Sequence, residues 1–202
     1  MQHILGIIIK GGVVMIPLLA CSLISLTLTI ERFMFWAKLR SRDILQQIIS
    51  LVEKGEFEQA LKLGKESTQP IARVMAAGIA HRNPAPAKAM EAAAQAEIPV
   101  LKSRLGVLDT VVTLAPLLGL LGTVVGMIGS FDVMSEAGLG QPHAVTGGVA
   151  EALIATATGL LIAILTLVSY NYFTAKAERE VDRMEHFSSS LELMLHERMS
   201  KH

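Results

Sequence analysis

The sequence is poor in residues on which many small soluble proteins depend. Cysteine occurs once, at position 21, and aromatic residues make up 4% of the 202 residues. A single cysteine excludes a disulfide framework within the chain and a Cys-rich metal site. Basic and acidic residues number 18 each, so no excess of positive charge points to nucleic acid as a partner. The dominant signal is that 51% of the residues are hydrophobic. A soluble domain of this size would not normally carry so little polar surface.

Charged residues are also missing from three long stretches, residues 11–30, 110–131 and 152–175. A helix of roughly 20 residues is needed to cross a hydrocarbon core of about 30 Å, and each stretch reaches that length. No strand pattern is present, and a chain without a barrel spans a bilayer by helices. The sequence therefore predicts an all-α membrane protein with three transmembrane helices, of which spans 2 and 3 extend into a helical cytoplasmic region.

A lipoprotein signal is the competing interpretation of the first stretch. Residues 18–21 read Leu-Leu-Ala-Cys, as a lipoprotein cleavage site does. The apolar run continues for nine more residues before Glu31, whereas the apolar region of a signal peptide ends near its cleavage site. A retained first span is therefore predicted.

Lysine and arginine are distributed unevenly. Residues 37–107 contain eleven, residues 133–149 none, and residues after 173 five. The positive-inside rule places the long segment and the tail in the cytoplasm of a bacterial-type inner membrane, with the N-terminus in the periplasm. The predicted order is a lead-in (1–10), transmembrane helix 1 (11–36), a cytoplasmic helical insert (37–107), transmembrane helix 2 (108–134), a periplasmic loop (135–147), transmembrane helix 3 (148–174) and a cytoplasmic helical tail (175–202).

The helical spacing of apolar residues, together with glycine and proline positions, divides the insert into several predicted helices. A helix over 44–52, a second closed by Gly64, a third from Pro70 and a turn at 83–86 are predicted. An Ala-rich helix then leads through Pro99, a possible kink, into span 2, which we expect to project into the cytoplasm. An apolar stripe in the tail is interpreted as packing on the insert, with docking of a partner as the alternative.

Small residues form stripes on spans 2 and 3. In a membrane helix such a stripe lets another backbone approach closely, and since glycine costs helix stability, four on one face imply a gain in packing. The residues predicted to pack are Gly119, Gly122, Gly126, Gly129, Ala152, Gly159 and Ala163.

Four polar residues of these spans are candidates for an ion path. Glu151 is either a carboxylate in the first turn of a helix, stabilised by the helix dipole, or a charge at the mouth of the path. Thr123 and Thr156 either bond to carbonyls of their own helices or share a polar seam. Thr158 lies on a face of span 3 beside that of Thr156.

No Asp, Glu, Lys, Arg or His lies in the middle of any span. Hydroxyl groups line water or coordinate a cation, but they do not titrate near neutral pH. A proton-driven device therefore needs an acid from a partner. The six histidines are scattered outside the spans without ligand spacing, and no catalytic set or phosphate-binding loop is present, so no enzyme activity, metal or cofactor is predicted.

Three motifs resemble the MotA/TolQ/ExbB proton channel family, and most closely its ExbB/TolQ branch. They are Gly-Gly-x-x-Met-x-Pro-Leu-Leu at 11–19, Ala-Pro-x-x-Gly-Leu-x-Gly-Thr-Val-x-Gly-Met at 115–127 and Glu-Ala-Leu-x-Ala-Thr-x-x-Gly-Leu at 151–160. Leu165 stands where the family often has proline, so span 3 is expected to be straighter and the subfamily is open.

The resemblance implies a homopentamer in which spans 2 and 3 line a central pore. Thr123, Thr156 and Glu151 fall on family positions tied to ion passage. An ExbD/TolR-like single-span partner would supply a membrane Asp, and the motor would energise a TonB- or TolA-like protein for outer-membrane transport or envelope integrity. A sodium-coupled motor, whose site Thr158 could help to line, and a purely structural scaffold remain as alternatives.

Overall fold

The computed structural model describes residues 11–39, 43–137 and 142–199. Within these ranges every regular element is an α-helix, which confirms the predicted all-α fold class. The helices are α1 (Met15–Lys38), α2 (Asp43–Lys54), α3 (Phe57–Glu66), α4 (Pro70–Ala80), α5 (Pro86–Leu101), α6 (Leu105–Ala137) and α7 (Pro142–Met199). The predicted lead-in, 1–10, lies outside the described residues.

Among the described residues, three helices are long and apolar enough to cross a membrane, within Met15–Lys54, Pro86–Ser135 and Thr146–Arg198. Their large apolar side chains remain exposed: Ile16 is 70% exposed, Leu117 60% and Val168 66%. Contiguous apolar surface of this kind is rare on soluble monomers, because water would have to cover it. The chain is therefore a multi-pass membrane protein whose apolar surface faces lipid or other protein.

The described chain forms two compact units, and the first contains residues 11–31 and 104–172. Its core joins the start of α1 to α6 and to the first half of α7. Ala115 and Ala163 belong to that core, and small side chains of this kind let helix backbones lie close together. The buried residues are Val14, Met15, Leu18, Cys21, Val111, Ala115, Ile162 and Ala163.

The second unit contains the described residues of 32–103 together with 173–199. Helix α4 is its most buried element, because eight of its eleven residues are buried. The tail stripe is also partly buried, with Met184 2% exposed, Leu191 0% and Leu195 1%. Helices α2 to α5 and the end of α7 thus share one apolar core.

Two local expectations differ from the structure. Gly64 does not close α3, which continues to Glu66. A Cβ at Gly64 would lie 2.8 Å from the carbonyl oxygen of Ala72, so this glycine is needed for the approach of α4. The Ala-rich helix and span 2 are two helices rather than one, since α5 ends at Leu101 and α6 begins only after a turn in which Arg104 has a φ of 65°.

The third span continues without interruption into the tail. Helix α7 has 58 residues, about 87 Å at 1.5 Å per residue. It begins at Pro142 and α6 ends at Ala137, so both helices enter the segment 135–147. Residues 138–141 lie outside the described part of the chain.

Candidate ion path

Helices α6 and α7 cross in an antiparallel direction at two glycines. A Cβ built on Gly159 would lie 2.5 Å from the carbonyl oxygen of Ala115 and 3.1 Å from the Cα of Gly119. A Cβ on Gly119 would in turn lie 3.0 Å from the Cα of Thr156. These neighbours are backbone atoms, which cannot move aside as a flexible side chain can. The crossing therefore closes the space between the two helices.

The contact continues toward the C-terminal end of α6 and the N-terminal end of α7, which flank the segment that connects the two helices. A Cβ on Gly126 would lie 2.9 Å from the carbonyl oxygen of Gly148 and 3.0 Å from the Cβ of Ala152. Gly122 faces the Cβ of Ala155. Gly129 differs, since no described atom lies within 4 Å of the position its Cβ would take. Within one chain, the glycines on the close face of α6 are thus Gly119, Gly122 and Gly126.

Thr156 joins the two helices by a hydrogen bond. Its hydroxyl donates to the carbonyl oxygen of Gly119 at 2.8 Å, and the side chain is half-buried. A threonine in a membrane helix more often bonds to a carbonyl of its own helix. Here the close glycine contact brings the neighbouring backbone within reach. The lone pairs of the Thr156 oxygen remain available to accept a further bond.

The other two candidate threonines bond within their own helices. Thr123 donates to the carbonyl of Leu120 at 2.6 Å, and Thr158 donates to that of Ile154 at 2.8 Å. Both side chains are half-buried. Because each donor is already used, these hydroxyls present oxygen lone pairs to whatever lies beside them. That surface suits water molecules, which donate, or a cation.

Glu151 does not lie in the first turn of its helix. Helix α7 begins nine residues earlier, at Pro142, and the effect of the helix dipole is confined to the first turn. The structural explanation based on the dipole therefore fails for this residue. The half-buried carboxylate lies instead against Gly12, whose φ of 71° precedes the start of α1. A side chain at position 12 would collide with the Glu151 carboxylate.

Sequence reasoning missed a second polar contact between spans. Ser25 and Thr166 are buried, and their hydroxyl oxygens are 2.6 Å apart. Thr166 also lies 2.7 Å from the carbonyl oxygen of Ile162, which can only accept. Thr166 therefore donates to that carbonyl, and Ser25 donates to Thr166. The available signal was a hydroxyl residue inside each charge-free run; neither lies on a glycine stripe.

Ser130 was missed for the same reason. It is buried and donates to the carbonyl of Gly126 at 2.9 Å, beside Gly148 of the facing helix. No group of three or more metal-binding side chains occurs among the described residues. The α6–α7 surface therefore combines hydroxyl oxygens with one carboxylate near the start of α7, and it can solvate an ion or water.

This geometry defines a class of protein. It is a helical, multi-pass membrane protein in which two charge-free spans meet at a contact that carries hydroxyl groups. Residues 66–186 match the MotA/TolQ/ExbB proton channel family. This range covers α4 to α6 and most of α7, and so includes the crossing described above. The chain belongs to that family, which is one of stator subunits of proton-channel motors.

Individual relatives agree with this assignment. An ExbB-like biopolymer transport protein of Synechocystis sp. is 35% identical over 191 residues, which cover 91% of each chain. A second ExbB-like protein of the same organism is 35% identical over 94% of this chain and 78% of its own length. The Tol-Pal system protein TolQ of Pseudomonas aeruginosa is 37% identical over 56% of this chain and 49% of its own. These names support the ExbB/TolQ branch.

Proposed function

We propose that this chain is the proton-channel stator subunit of an ExbB/TolQ-type motor in a bacterial inner membrane. In this proposal its N-terminus is periplasmic and its C-terminus cytoplasmic. An ExbD/TolR-like protein with a single span is its partner. The assembly converts the proton motive force into work on a TonB- or TolA-like protein, for outer-membrane transport or envelope integrity.

The observation that carries the proposal is the placement of Thr156. Its hydroxyl bridges to the Gly119 carbonyl within a charge-free crossing, and its oxygen can still accept a hydrogen bond. A hydroxyl whose proton is held by the protein and whose lone pairs are open is suited to orient a water molecule. Thr123 and Thr158 present the same chemistry on the helices that meet there.

The closed crossing supports an oligomer. Backbone atoms of α6 and α7 are in contact at Gly119 and Gly159, so no ion can pass between these helices of one chain. A path lined by both must run along their surface, and further walls must come from other copies. We propose a homopentamer, as the resemblance implies, and native mass spectrometry of the purified complex tests this number.

A partner acid completes the path. The three spans contain hydroxyls but no Asp, Glu, Lys, Arg or His in their middle, and a proton relay needs a group that binds and releases a proton near neutral pH. The single span of an ExbD/TolR-like protein would contribute an Asp to the lumen of the oligomer. Glu151 would act at the mouth of the path as a fixed carboxylate.

The test compares Thr156→Ala with Thr27→Ala in cells that express the chain with its single-span partner. Thr27 is the matched control, because it is exposed on α1 and donates to its own-helix carbonyl of Leu23 at 2.8 Å. Thr156→Ala should abolish energy-dependent uptake or envelope maintenance while membrane insertion persists. Thr27→Ala should leave both unchanged, and Thr156→Ser should restore most of the activity.

Wild-type activity in Thr156→Ala would overturn the proposal. A structural scaffold, the alternative from another class, predicts tolerance of Thr156→Ala and of Glu151→Gln, but loss of assembly in Gly122→Leu. Gly122 faces the Cβ of Ala155, so a leucine there would separate the helices. Measuring assembly and activity on the same three variants therefore distinguishes a motor from a scaffold.

Sodium coupling is the second candidate within the family. The observation that favours it is that Thr123, Thr156 and Thr158 all donate to carbonyls, which leaves oxygen lone pairs as their open chemistry. Oxygen lone pairs can coordinate Na⁺ as well as accept hydrogen bonds from water. Activity that persists with a protonophore but disappears without sodium would support this candidate against the proton.

A further inference from the structure

Three cations of the second unit converge on one cavity. The cavity has a volume of about 550 Å³, and it lies where the end of α2, the turn between α4 and α5 and the end of α7 meet. Volumes of roughly 300–1,000 Å³ are typical of sites for small molecules. Its lining residues are Lys54, Gly55, Phe57, Arg82, Asn83, Leu195 and Arg198.

The charge of this cavity is not neutralised by the protein. None of its lining residues is acidic, although Glu53, Glu56 and Glu197 are close in sequence. In the described part of the chain, neither Lys54, Arg82 nor Arg198 forms an ion pair with a carboxylate. The protein as a whole has a net charge of zero, so three unpaired cations are not the result of a basic composition.

Two of the cations are held in place without a ligand. The Arg82 guanidinium lies 5.0 Å from the centre of the Phe57 ring. Arg198 donates to the carbonyl oxygen of Glu53, at the end of α2, and lies against Gly55, whose φ is 85°. Groups that are ordered before binding lose less freedom when a ligand arrives. The exposed Lys54 ammonium has no such partner and is open to the cavity.

A membrane lipid does not fit the position of this site. Arg198 lies 23 residues beyond Ala175, the last residue of the charge-free stretch. Both residues belong to helix α7, so they are about 35 Å apart along its axis. A tilt of about 40° still leaves more than roughly 25 Å between this site and the end of the apolar stretch. An anion at this site would therefore come from solution rather than from the bilayer.

We propose that this cavity binds a soluble oligophosphate, either a nucleoside triphosphate or an inorganic polyphosphate, through its phosphate chain. Guanidinium groups form paired hydrogen bonds with phosphate oxygens, and an ammonium group adds a point charge. Phe57 is the one aromatic residue among the lining residues, and Arg82 already lies over its ring, so we expect no nucleobase to stack there. The phosphates alone are recognised.

Binding would connect distant parts of the chain. The three cations come from the end of α2, the α4–α5 turn and the last turn of α7, which are separated by many residues in sequence. An anion that contacts all three holds the tail of α7 against α2. A cellular oligophosphate would thereby stabilise the cytoplasmic unit, independently of whether the protein conducts ions.

The experiment uses the full chain in nanodiscs of phosphatidylcholine, which carry no net charge. Sodium tripolyphosphate, ATP and citrate are titrated by calorimetry at low salt. We expect tripolyphosphate and ATP to bind with similar Kd values, on the order of 10–100 μM, and citrate to bind about tenfold more weakly. Similar Kd values show that the phosphate chain is the ligand, and a much tighter binding of ATP would show that the base is read and would overturn that part of the proposal.

The matched variants remove two positive charges each. Lys54→Gln with Arg82→Gln should weaken tripolyphosphate binding by at least about tenfold, because charge-assisted hydrogen bonds are lost. Lys62→Gln with Lys65→Gln, on exposed positions of α3 outside the cavity, should change it less than about twofold. The single variant Lys54→Gln controls for misfolding of the double variant. It should fold normally, because the Lys54 side chain is exposed and has no polar partner in the described structure.

Three results would overturn the proposal. The first is the absence of binding at about 1 mM tripolyphosphate in low salt, far above the expected Kd. The second is an equal weakening of tripolyphosphate binding in the two double variants, which would show that the anion is attracted by the overall positive charge and not by this cavity. The third is binding of a polyglutamate peptide as tight as that of tripolyphosphate, which would make the cavity a contact for an acidic protein.

Discussion

Replacing Gly159 by alanine tests the closed crossing of α6 and α7. The added Cβ would lie 2.5 Å from the Ala115 carbonyl oxygen, whereas ordinary contact begins at 3.4 Å. The helices would have to separate by about 0.9 Å at this point, because neither partner is a movable side chain. The same shift would lengthen the 2.8 Å bond from Thr156 to Gly119 beyond hydrogen-bonding distance.

Three contributions determine the size of the effect. Overpacking costs about 1–3 kcal/mol, and loss of a hydrogen bond between membrane helices costs about 0.6 kcal/mol on average. Alanine gains about 1 kcal/mol of helix propensity over glycine, which offsets part of this loss. We expect Gly159→Ala to lower the free energy of unfolding by about 0.6–2.6 kcal/mol, measured by titration of the detergent-solubilised monomer with sodium dodecyl sulfate.

Gly129→Ala is the matched control. It makes the same change in the same pair of helices, but no described atom lies within 4 Å of the new Cβ. Its free energy of unfolding should stay equal to that of the wild type or rise slightly. If both variants unfold at the same concentration of sodium dodecyl sulfate, the close glycine contact does not stabilise the fold, and the reasoning for a closed crossing is wrong.

Two further changes probe the two units separately. Ser25→Ala and Thr166→Ala should each destabilise the monomer, and a double-mutant cycle should give a coupling of about 0.6–1.7 kcal/mol; additive effects would show that the 2.6 Å contact contributes nothing. Gly64→Ala should speed hydrogen exchange in α3 and α4, because its Cβ would meet Ala72; unchanged exchange would contradict the tight packing there.

The fold class could be predicted because it depends on long patterns. Three charge-free stretches of at least 20 residues determine the helices that can span a bilayer, whatever their neighbours are. Local signals were also sufficient for α4, which begins at the predicted Pro70, and for the turn before Pro86. Proline at the first position of a helix acts through the backbone of that residue alone.

Other features depend on contacts between distant residues. The glycine stripe of span 2 does not show that Gly129 faces open space in the monomer while Gly119 meets α7. The role of Gly64 was misjudged because a helix-ending glycine and a packing glycine look alike in one sequence. The bond between Ser25 and Thr166 joins residues 141 positions apart, so local periodicity could not reveal it.

The position of Glu151 depends on where its helix begins. Sequence alone placed it at the start of span 3, where the helix dipole would explain an acid. With α7 starting at Pro142, that explanation is lost, and the carboxylate is held beside Gly12 instead. A carboxylate at a membrane boundary has a higher free energy when no helix dipole stabilises it. This favours the proposed role of Glu151 in ion passage.

The closed crossing and the missing mid-membrane acid lead to the same conclusion about how the proposed channel works. Since α6 and α7 touch through their backbones, any ion path must lie on a surface that these helices share with other chains. Since the middle of that surface carries hydroxyls but no acidic, basic or histidine side chain, with Glu151 only at its mouth, a proton crossing the proposed channel must be carried by a residue of another chain. In the proposed channel one chain therefore supplies part of a wall, and conduction requires the assembly. A conductance measured for the purified chain without its partner would contradict this argument directly.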